Sequence, residues 1–255
     1  MRFRYQMWTV FLAVACWGLG SVAQAAELTV SAAISLKEAF GEIAAQFEKG
    51  RPGDKINFNF AASGELSQQI ERGAPVDVFA SAALKQMNDL DKKGLLLAGT
   101  NQPFARNRLV VVVPKGEAKV TSFEQLSKVG RLTIGNPRTV PAGQYASEAL
   151  TRAGIYNTLL ASQKIVFSEN VRQALAYVED GNVDAGIVYA TDARTSQKVS
   201  VGFPVPANYS EPVVYPIAVV KDSKQPDLAR AFVTFVLSAQ GQEILQSKGF
   251  LGANQ

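Results

Sequence analysis

The sequence predicts an α/β protein with largely parallel sheet. Short apolar runs of strand length alternate, nearly throughout its 255 residues, with segments whose apolar residues recur at helical spacing. One of these runs, 109–113, is continuous and rich in valine, which is typical of a strand buried on both faces. No 18-residue apolar run follows the N-terminal segment, so we expect the mature protein to be soluble.

Strands and amphipathic helices alternate three times in the first half of the chain. Leu36, Phe40, Ile43 and Phe47 share one helical face, which predicts a helix directly after the first strand. Gly94 is a typical helix-terminating residue and ends the third helix. The predicted strands are 27–32, 55–62 and 76–80, and the predicted helices are 35–49, 64–72 and 83–93.

The same alternation continues in the second half. Proline-containing segments at 103–108 and 211–216 each precede a new strand, which favours them as crossovers between two lobes. Gly241 predicts an interruption in the last helical region. The predicted strands are 109–113, 131–134, 163–167, 185–188 and 215–220, and the predicted helices are 122–128, 141–153, 171–179 and 227–248.

Residues 1–25 are predicted to be a secretory signal peptide. Arg2 and Arg4 form a positive start, an apolar stretch follows at 7–15, and Ala23-Gln24-Ala25 fits a cleavage site. The apolar stretch is too short for a transmembrane helix. We therefore expect cleavage after Ala25 and a periplasmic protein. Lipidation at Cys16 is a weaker alternative, because Ala13 stands where lipoprotein processing prefers a larger aliphatic residue.

Composition narrows the chemistry that the mature chain can perform. Removing Arg2 and Arg4 from the 26 basic residues leaves 24 against 22 acidic ones, and this net charge of +2 argues against nucleic acid or an anionic membrane as partner. The only cysteine leaves with the signal, and there is no histidine, so imidazole bases and ordinary zinc sites are excluded. We expect no enzyme, although a pair of carboxylates brought together by folding stays open.

Four helix starts suggest an anion site. Ser35 opens one helix and, with Glu38, matches a capping box; Ser63 opens another and is followed by Gly64, which lets backbone approach a ligand closely. The other two starts are 140–143 and 168–172. The first amides of a helix lack intrahelical acceptors and carry partial positive charge, so several converging helix starts can surround an oxyanion with neutral donors. Each serine could equally be a simple cap.

At these residues the sequence resembles the molybdate-binding periplasmic proteins of ABC importers, the ModA family. The resemblance covers essentially the whole mature chain and is carried by 32–36, 60–63, 73–79, 140–143, 170–172 and 186–189. It departs from the family pattern at Ile34, often a small residue, and at Gly64, where some members have another serine. The family's ligand contacts map onto Ser35, Ser63, Ala142, Val171 and Tyr189.

The resemblance also implies the architecture. The family has the type II periplasmic binding fold, two α/β lobes around a central ligand cleft. We expect lobe 1 to be discontinuous, 26–107 with 217–255, and lobe 2 to be 108–216. The implied ligands are molybdate and tungstate, with no cofactor, and the implied partner is an ABC transporter membrane permease that receives the ligand from a monomeric binding protein.

Three other binding functions stay open at this point. A relative selective for sulfate or for tungstate would share the same donor site. A ferric-ion binder of similar fold could recruit tyrosines such as Tyr156, Tyr189 and Tyr215. A ligand-sensing regulator would need a DNA-binding helix-turn-helix, and the export signal stands where that would be.

Overall fold

The computed structural model describes residues 26–116 and 120–253. The predicted signal peptide and Cys16 lie outside these residues. In the described part, no helix combines the length and the apolar character that a membrane span requires.

Strands and helices alternate along the described chain. A 3₁₀ turn at Ile34–Leu36 precedes α1, and a longer one occupies Phe123–Lys128. The strands are β1 (Glu27–Ala33), β2 (Lys55–Ala61), β3 (Val78–Ala80), β4 (Gln102–Asn107), β5 (Leu109–Pro114), β6 (Leu132–Gly135), β7 (Ile165–Ser168), β8 (Ala185–Tyr189), β9 (Val199–Pro204), β10 (Val213–Val219) and β11 (Leu251–Gly252). The helices are α1 (Lys37–Lys49), α2 (Ser63–Glu71), α3 (Leu84–Lys92), α4 (Pro141–Arg152), α5 (Tyr156–Ala161), α6 (Val171–Glu179), α7 (Ala190–Ala193), α8 (Pro226–Leu237) and α9 (Ala239–Ser247).

The strands form two separate sheets, each covered by helices. The first has the order β11-β4-β10-β3-β1-β2, and the second has the order β7-β6-β8-β5-β9. We call each sheet with its helices a lobe. The expectation of largely parallel sheet was wrong: β10, β4 and β11 pair antiparallel in the first sheet, and β5 pairs antiparallel with β8 and β9 in the second. The confirmed part is the α/β, two-lobed architecture.

Buried aromatic rings hold the first lobe together. Phe40 of α1 packs against Phe104 of β4 and Phe232 of α8, with ring centroids 5.7 and 6.0 Å apart. Phe47, two turns along α1, makes an edge contact with the same Phe232 at 5.5 Å. Offset and edge contacts of this kind are favourable beyond the area they bury. They attach helix α8 to the first sheet, although this helix follows the second lobe in sequence.

The chain passes between the sheets near Asn107 and again before β10. β4 ends at Asn107 in the first sheet, and β5 begins at Leu109 in the second. β10 belongs to the first sheet along its whole length, including Val213 to Tyr215 ahead of the expected boundary at 216/217. The lobe boundaries that the family resemblance implies stay a prediction, since pairing of strands does not define a domain limit.

Several elements differ from the sequence-based expectation. The predicted crossover 103–108 overlaps β4, which was not predicted, and β9, β11, α5 and α7 were not predicted either. The predicted helix 122–128 is a 3₁₀ helix. The last helical region breaks at Ser238, three residues before Gly241, and the Ser238 hydroxyl accepts a hydrogen bond from the Gly241 amide at 3.3 Å. Gly241 is needed there because a Cβ would lie 2.3 Å from the Phe235 carbonyl oxygen.

Candidate functional site

All five residues expected to contact the ligand line a single cavity between the lobes. Its free volume is about 10 Å³, close to the space that one water-sized sphere needs. Its lining comes from the ends of β1, β2 and β8 and from the starts of three helices, and comprises Ala33, Ile34, Ser35, Ala61, Ala62, Ser63, Ala82, Val140, Pro141, Ala142, Val171 and Tyr189.

Ser63 begins α2 and is fully buried. Its hydroxyl oxygen accepts a hydrogen bond from the backbone amide of Ala82 at 3.0 Å. It does not cap the helix, because Ala62 occupies the N-cap position and makes no side-chain cap bond. With the Ala82 amide already satisfied by the oxygen, the hydroxyl proton is available to a ligand.

Ser35 lies in the 3₁₀ turn that follows β1 and is 3% exposed. The expected capping box with Glu38 was wrong: the N-cap of α1 is Leu36, and no side chain caps this helix. The Ser35 hydroxyl instead lies 3.0 Å from the Tyr215 hydroxyl. The 3₁₀ turn shifts the helix start by two residues, so Ser35 turns toward the cleft.

Ala142 and Val171 contribute backbone amides from the second lobe. Pro141 is the first residue of α4 and has no amide proton, so Ala142 carries the first free N–H of that helix. Val171 is the first residue of α6, whose N-cap Asn170 accepts a hydrogen bond from the Gln173 amide at 3.0 Å. Because first-turn amides have no acceptor within their own helix, both can serve a ligand in the cavity.

Tyr189 ends β8 and is 1% exposed. Its hydroxyl donates to the Ala82 carbonyl oxygen of the first lobe at 3.4 Å. Burial raises the pKa of this phenol well above its usual value of 10. Tyr189 therefore stays protonated and neutral, and its single proton, which the Ala82 carbonyl oxygen accepts here, reaches a ligand only when that bond is exchanged.

The cavity itself is uncharged. Among the described residues, none that lines it has an ionisable side chain apart from the protonated Tyr189. Arg172, the residue after Val171, contacts Glu38 of α1 and Asp192 of α7 at 2.5 Å each. The guanidinium charge nearest in sequence to the site is thus neutralised by carboxylates. Positive potential at the cavity must come from amide and hydroxyl dipoles.

Gly64 has a different role from the expected close approach to a ligand. Its amide donates to the carbonyl oxygen of Thr139, just ahead of α4 in the other lobe, at 2.9 Å. A Cβ at Gly64 would lie 2.5 Å from that oxygen, inside any normal contact distance. The glycine therefore allows the two lobes to close on each other. Together with the bonds of Tyr189 and Arg172 to the first lobe, it defines a closed cleft.

Two residues near the site, Ala82 and Asn107, were missed by the sequence analysis, and Tyr215 was considered there only as an iron ligand. Ala82 binds both Ser63 and Tyr189 through its backbone, and no side-chain pattern could have identified it. Asn107 and Tyr215 lie behind Ser35, and the Asn107 amide nitrogen is 3.3 Å from the Tyr215 hydroxyl. Tyr156, considered as an iron ligand, begins α5 and does not line the cavity.

Known proteins resemble this chain over nearly its whole length. A family model described as bacterial extracellular solute-binding protein matches residues 28–251. The molybdate-binding protein ModA of Escherichia coli (strain K12) is 40% identical over 238 residues, which cover 90% of this chain and 91% of that protein.

Solved structures give the same result for the fold. The periplasmic molybdate-binding protein of Azotobacter vinelandii matches with a TM-score of 0.80 and 28% identity, over 88% of this chain and 98% of that chain. The sulfate-binding protein SubI from Mycobacterium tuberculosis H37Rv matches with a TM-score of 0.76 over 88% of this chain and 86% of that chain, but at 18% identity it shows the shared fold alone. From the family model and the ModA relative, the chain belongs to the bacterial extracellular solute-binding protein family.

Proposed function

We propose that this protein binds molybdate or tungstate outside the cytoplasm and delivers it to the membrane permease of an ABC transporter. The observation that carries the proposal is the closed, uncharged cavity in which the hydroxyls of Ser35, Ser63 and Tyr189 meet the first amides of α4 and α6. A relative that is 40% identical is a molybdate-binding protein, which supports this choice of anion.

The donor set selects for a fully deprotonated oxyanion. Molybdate, tungstate and sulfate carry no proton near neutral pH and can accept from every donor. Hydrogen phosphate carries a proton that would face another donor, and an unmatched polar group of this kind costs about 1–3 kcal/mol. A neutral site can also release its ligand without leaving an unpaired buried charge, which would cost several kcal/mol.

Two alternatives from the same fold make different predictions. Sulfate offers the same four acceptors as molybdate, so only the size of the cavity separates them, and binding of sulfate alone is the runner-up. Ferric ion needs phenolate ligands, but burial raises the pKa of both Tyr189 and Tyr215 and opposes phenolate formation. That disfavours the iron site.

The protein is proposed to act after export from the cytoplasm. The family supports export, and residues 1–25 have the pattern of a cleavable signal. We propose a periplasmic monomer that acts by stoichiometric capture, with no catalytic turnover and no cofactor. Lipidation at Cys16 would instead tether the mature protein to the membrane, and the mass of the exported protein distinguishes the two forms.

Isothermal titration of residues 26–255 with molybdate, tungstate and sulfate tests the proposal. We expect one site per chain, tight binding of molybdate and tungstate, and far weaker binding of sulfate. Tight sulfate binding without molybdate binding would overturn the choice of anion. A coloured, iron-dependent complex in the same preparation would support the ferric alternative.

A further inference from the structure

Two buried side chains behind the cavity, Asn107 and Tyr215, form a hydrogen-bond chain that ends on Ser35, a proposed ligand contact. The Asn107 Nδ2 atom is 3.3 Å from the Tyr215 hydroxyl, which is 3.0 Å from the Ser35 hydroxyl. All three side chains are buried, and neither Asn107 nor Tyr215 lines the cavity. Two buried polar side chains outside the ligand site are costly unless their hydrogen bonds are satisfied, and this chain satisfies them.

Asn107 fixes the donor in the first bond of this hydrogen-bond chain. The Asn107 Oδ1 atom accepts from the Arg108 amide at 2.8 Å, which fixes the orientation of the side-chain amide. Its Nδ2 atom can only donate, and it does so to the Thr191 hydroxyl at 2.8 Å and to Tyr215. The Tyr215 oxygen therefore accepts from Asn107, and its single proton can go to Ser35, although the 3.0 Å contact between the two hydroxyls fits either one as donor.

The direction required for a ligand contact is donation from Tyr215 to Ser35. Burial raises the pKa of the Tyr215 phenol far above its usual range, so the proton it needs for donation is always present. When the Ser35 oxygen accepts that proton, the Ser35 hydroxyl has its own proton free to donate toward the cavity. Ser63 reaches the same state by another route, because its oxygen accepts from the Ala82 backbone amide.

We propose that Asn107 and Tyr215 are positioning residues that orient the Ser35 hydroxyl as a donor into the cavity. Neither touches the ligand, yet together they set one of the hydroxyls that favour a deprotonated oxyanion. This inference deepens the proposed function and rests on it. The two serine hydroxyls are thus oriented differently. Ser63 is oriented by the backbone amide of Ala82, whereas Ser35 is oriented by side chains, which mutation can replace.

Replacement of the Tyr215 phenol tests whether this side chain donates to the Ser35 hydroxyl. In Tyr215→Phe, the Ser35 hydroxyl has no donor to accept from and can rotate, so we expect the Kd for molybdate to rise about three- to tenfold. In a Ser35→Ala background the same replacement should change the Kd by less than about twofold. The Kd values come from titration calorimetry on the full mature protein.

Controls separate this effect from loss of a phenol in general. Tyr145 is a half-buried tyrosine that bonds the Val214 backbone and is not part of the chain, so Tyr145→Phe should leave the Kd within about twofold of the wild type. Circular dichroism melting confirms that each variant folds. If Tyr215→Phe fails to fold, Asn107→Ala takes its place, with the same direction expected and the same dependence on Ser35.

The outcomes distinguish this inference from the proposed function. An unchanged Kd in Tyr215→Phe, or an equal loss with and without Ser35, overturns the positioning role while wild-type binding of molybdate still supports the function. If the wild type binds only sulfate, the proposed anion is overturned, and the Kd values of the same variants for sulfate then support or overturn the positioning role. A wild type that binds none of the three anions overturns both proposals together.

Discussion

Ser35 and Ser63 each carry out two tasks with one hydroxyl. Each oxygen accepts from, or pairs with, a buried protein group, Tyr215 in one case and the Ala82 amide in the other. The Ser63 proton then remains for an anion, and the Ser35 proton does so when Tyr215 is the donor. A hydroxyl hydrogen bond to a charged acceptor contributes about 1.5–3 kcal/mol, which is about tenfold or more in affinity. The two serines therefore dominate the side-chain contribution that we expect in the cavity.

The double variant Ser35→Ala with Ser63→Ala should bind molybdate at least about tenfold more weakly, as measured by titration calorimetry. Ser67→Ala is the matched control, because Ser67 is also buried in α2 but bonds only the Gly64 carbonyl oxygen at 3.0 Å. It should keep wild-type affinity. An unchanged Kd in the double variant would mean that the two hydroxyls serve only the protein's own hydrogen bonds.

The Asp192 carboxyl group should make the stability of the protein depend on pH. Burial raises its pKa to about 6 from an ordinary value of 3.8, against the opposing effect of the Arg172 guanidinium 2.5 Å away. Between about pH 4 and pH 6 the folded state therefore binds more protons at this residue than the unfolded state does. The contribution of Asp192 to stability must fall as the pH rises through this range.

Asp192→Asn removes that titration. The free energy of unfolding of the wild type, minus that of the variant, should fall by on the order of 2 kcal/mol between pH 4 and pH 6.5. Urea unfolding of both proteins across this range measures the difference. A difference that is constant, or that rises with pH, would contradict the raised pKa.

At the scale of elements, helix starts and strand ends build the site, and these are also what the sequence predicted best. The bounds of α6 were predicted without error, because Asn170 is a strong N-cap and the apolar spacing of its helix is regular. β4 was missed because Pro103 is unusual within a strand. It is tolerated where Pro103 faces Pro216, beside an irregularity in the pairing with β10.

The start of α2 yields a prediction about closure. Gly64→Ala would place a methyl group 2.5 Å from the Thr139 carbonyl oxygen, so the lobes could not close fully. We expect the Kd for molybdate to rise about tenfold or more, since a bond across the cleft is lost and the lobes separate. Calorimetry measures the affinity, and small-angle X-ray scattering should show a smaller ligand-induced compaction than in the wild type.

Gly41→Ala is the control for this substitution. Gly41 lies inside α1, and a Cβ there meets no atom within 4 Å, so affinity should be unchanged and stability should rise slightly with helix propensity. Equal, wild-type affinity in both variants would mean that closure does not require the contact between Gly64 and Thr139.

For the whole molecule, the family resemblance predicted two lobes and the residues that meet between them, but not the contacts that hold the lobes together. Helical and strand periodicity in the sequence indicates which face of a helix or strand packs against the core of its own lobe. It does not indicate which residues contact the other lobe. Contacts across the cleft join residues far apart in the chain, such as Glu38 and Arg172, and no local pattern encodes them. The bond between Tyr189 and the Ala82 carbonyl oxygen belongs to the same class.

The ion pair of Glu38 with Arg172 predicts how salt should act on the closed form. It joins α1 of the first lobe to α6 of the second at 2.5 Å, and both side chains are partly exposed. An exposed pair contributes about 0.2–1 kcal/mol, so Glu38→Gln should weaken molybdate binding up to about fivefold at low ionic strength. Arg172 keeps its contact with Asp192 in this variant, so no unpaired buried charge is created.

Because salt screens exposed charges over about 10 Å at 0.1 M, the difference between Glu38→Gln and the wild type should shrink as salt increases to 1 M. Asp89→Asn is the control, since it breaks an exposed ion pair with Lys85 inside α3, away from the cleft. It should not alter affinity at any salt concentration. A salt-independent loss in Glu38→Gln would assign Glu38 a role in packing of α1 instead. The lobes would then be held closed by neutral contacts, such as those of Gly64, Tyr189 and Asn107.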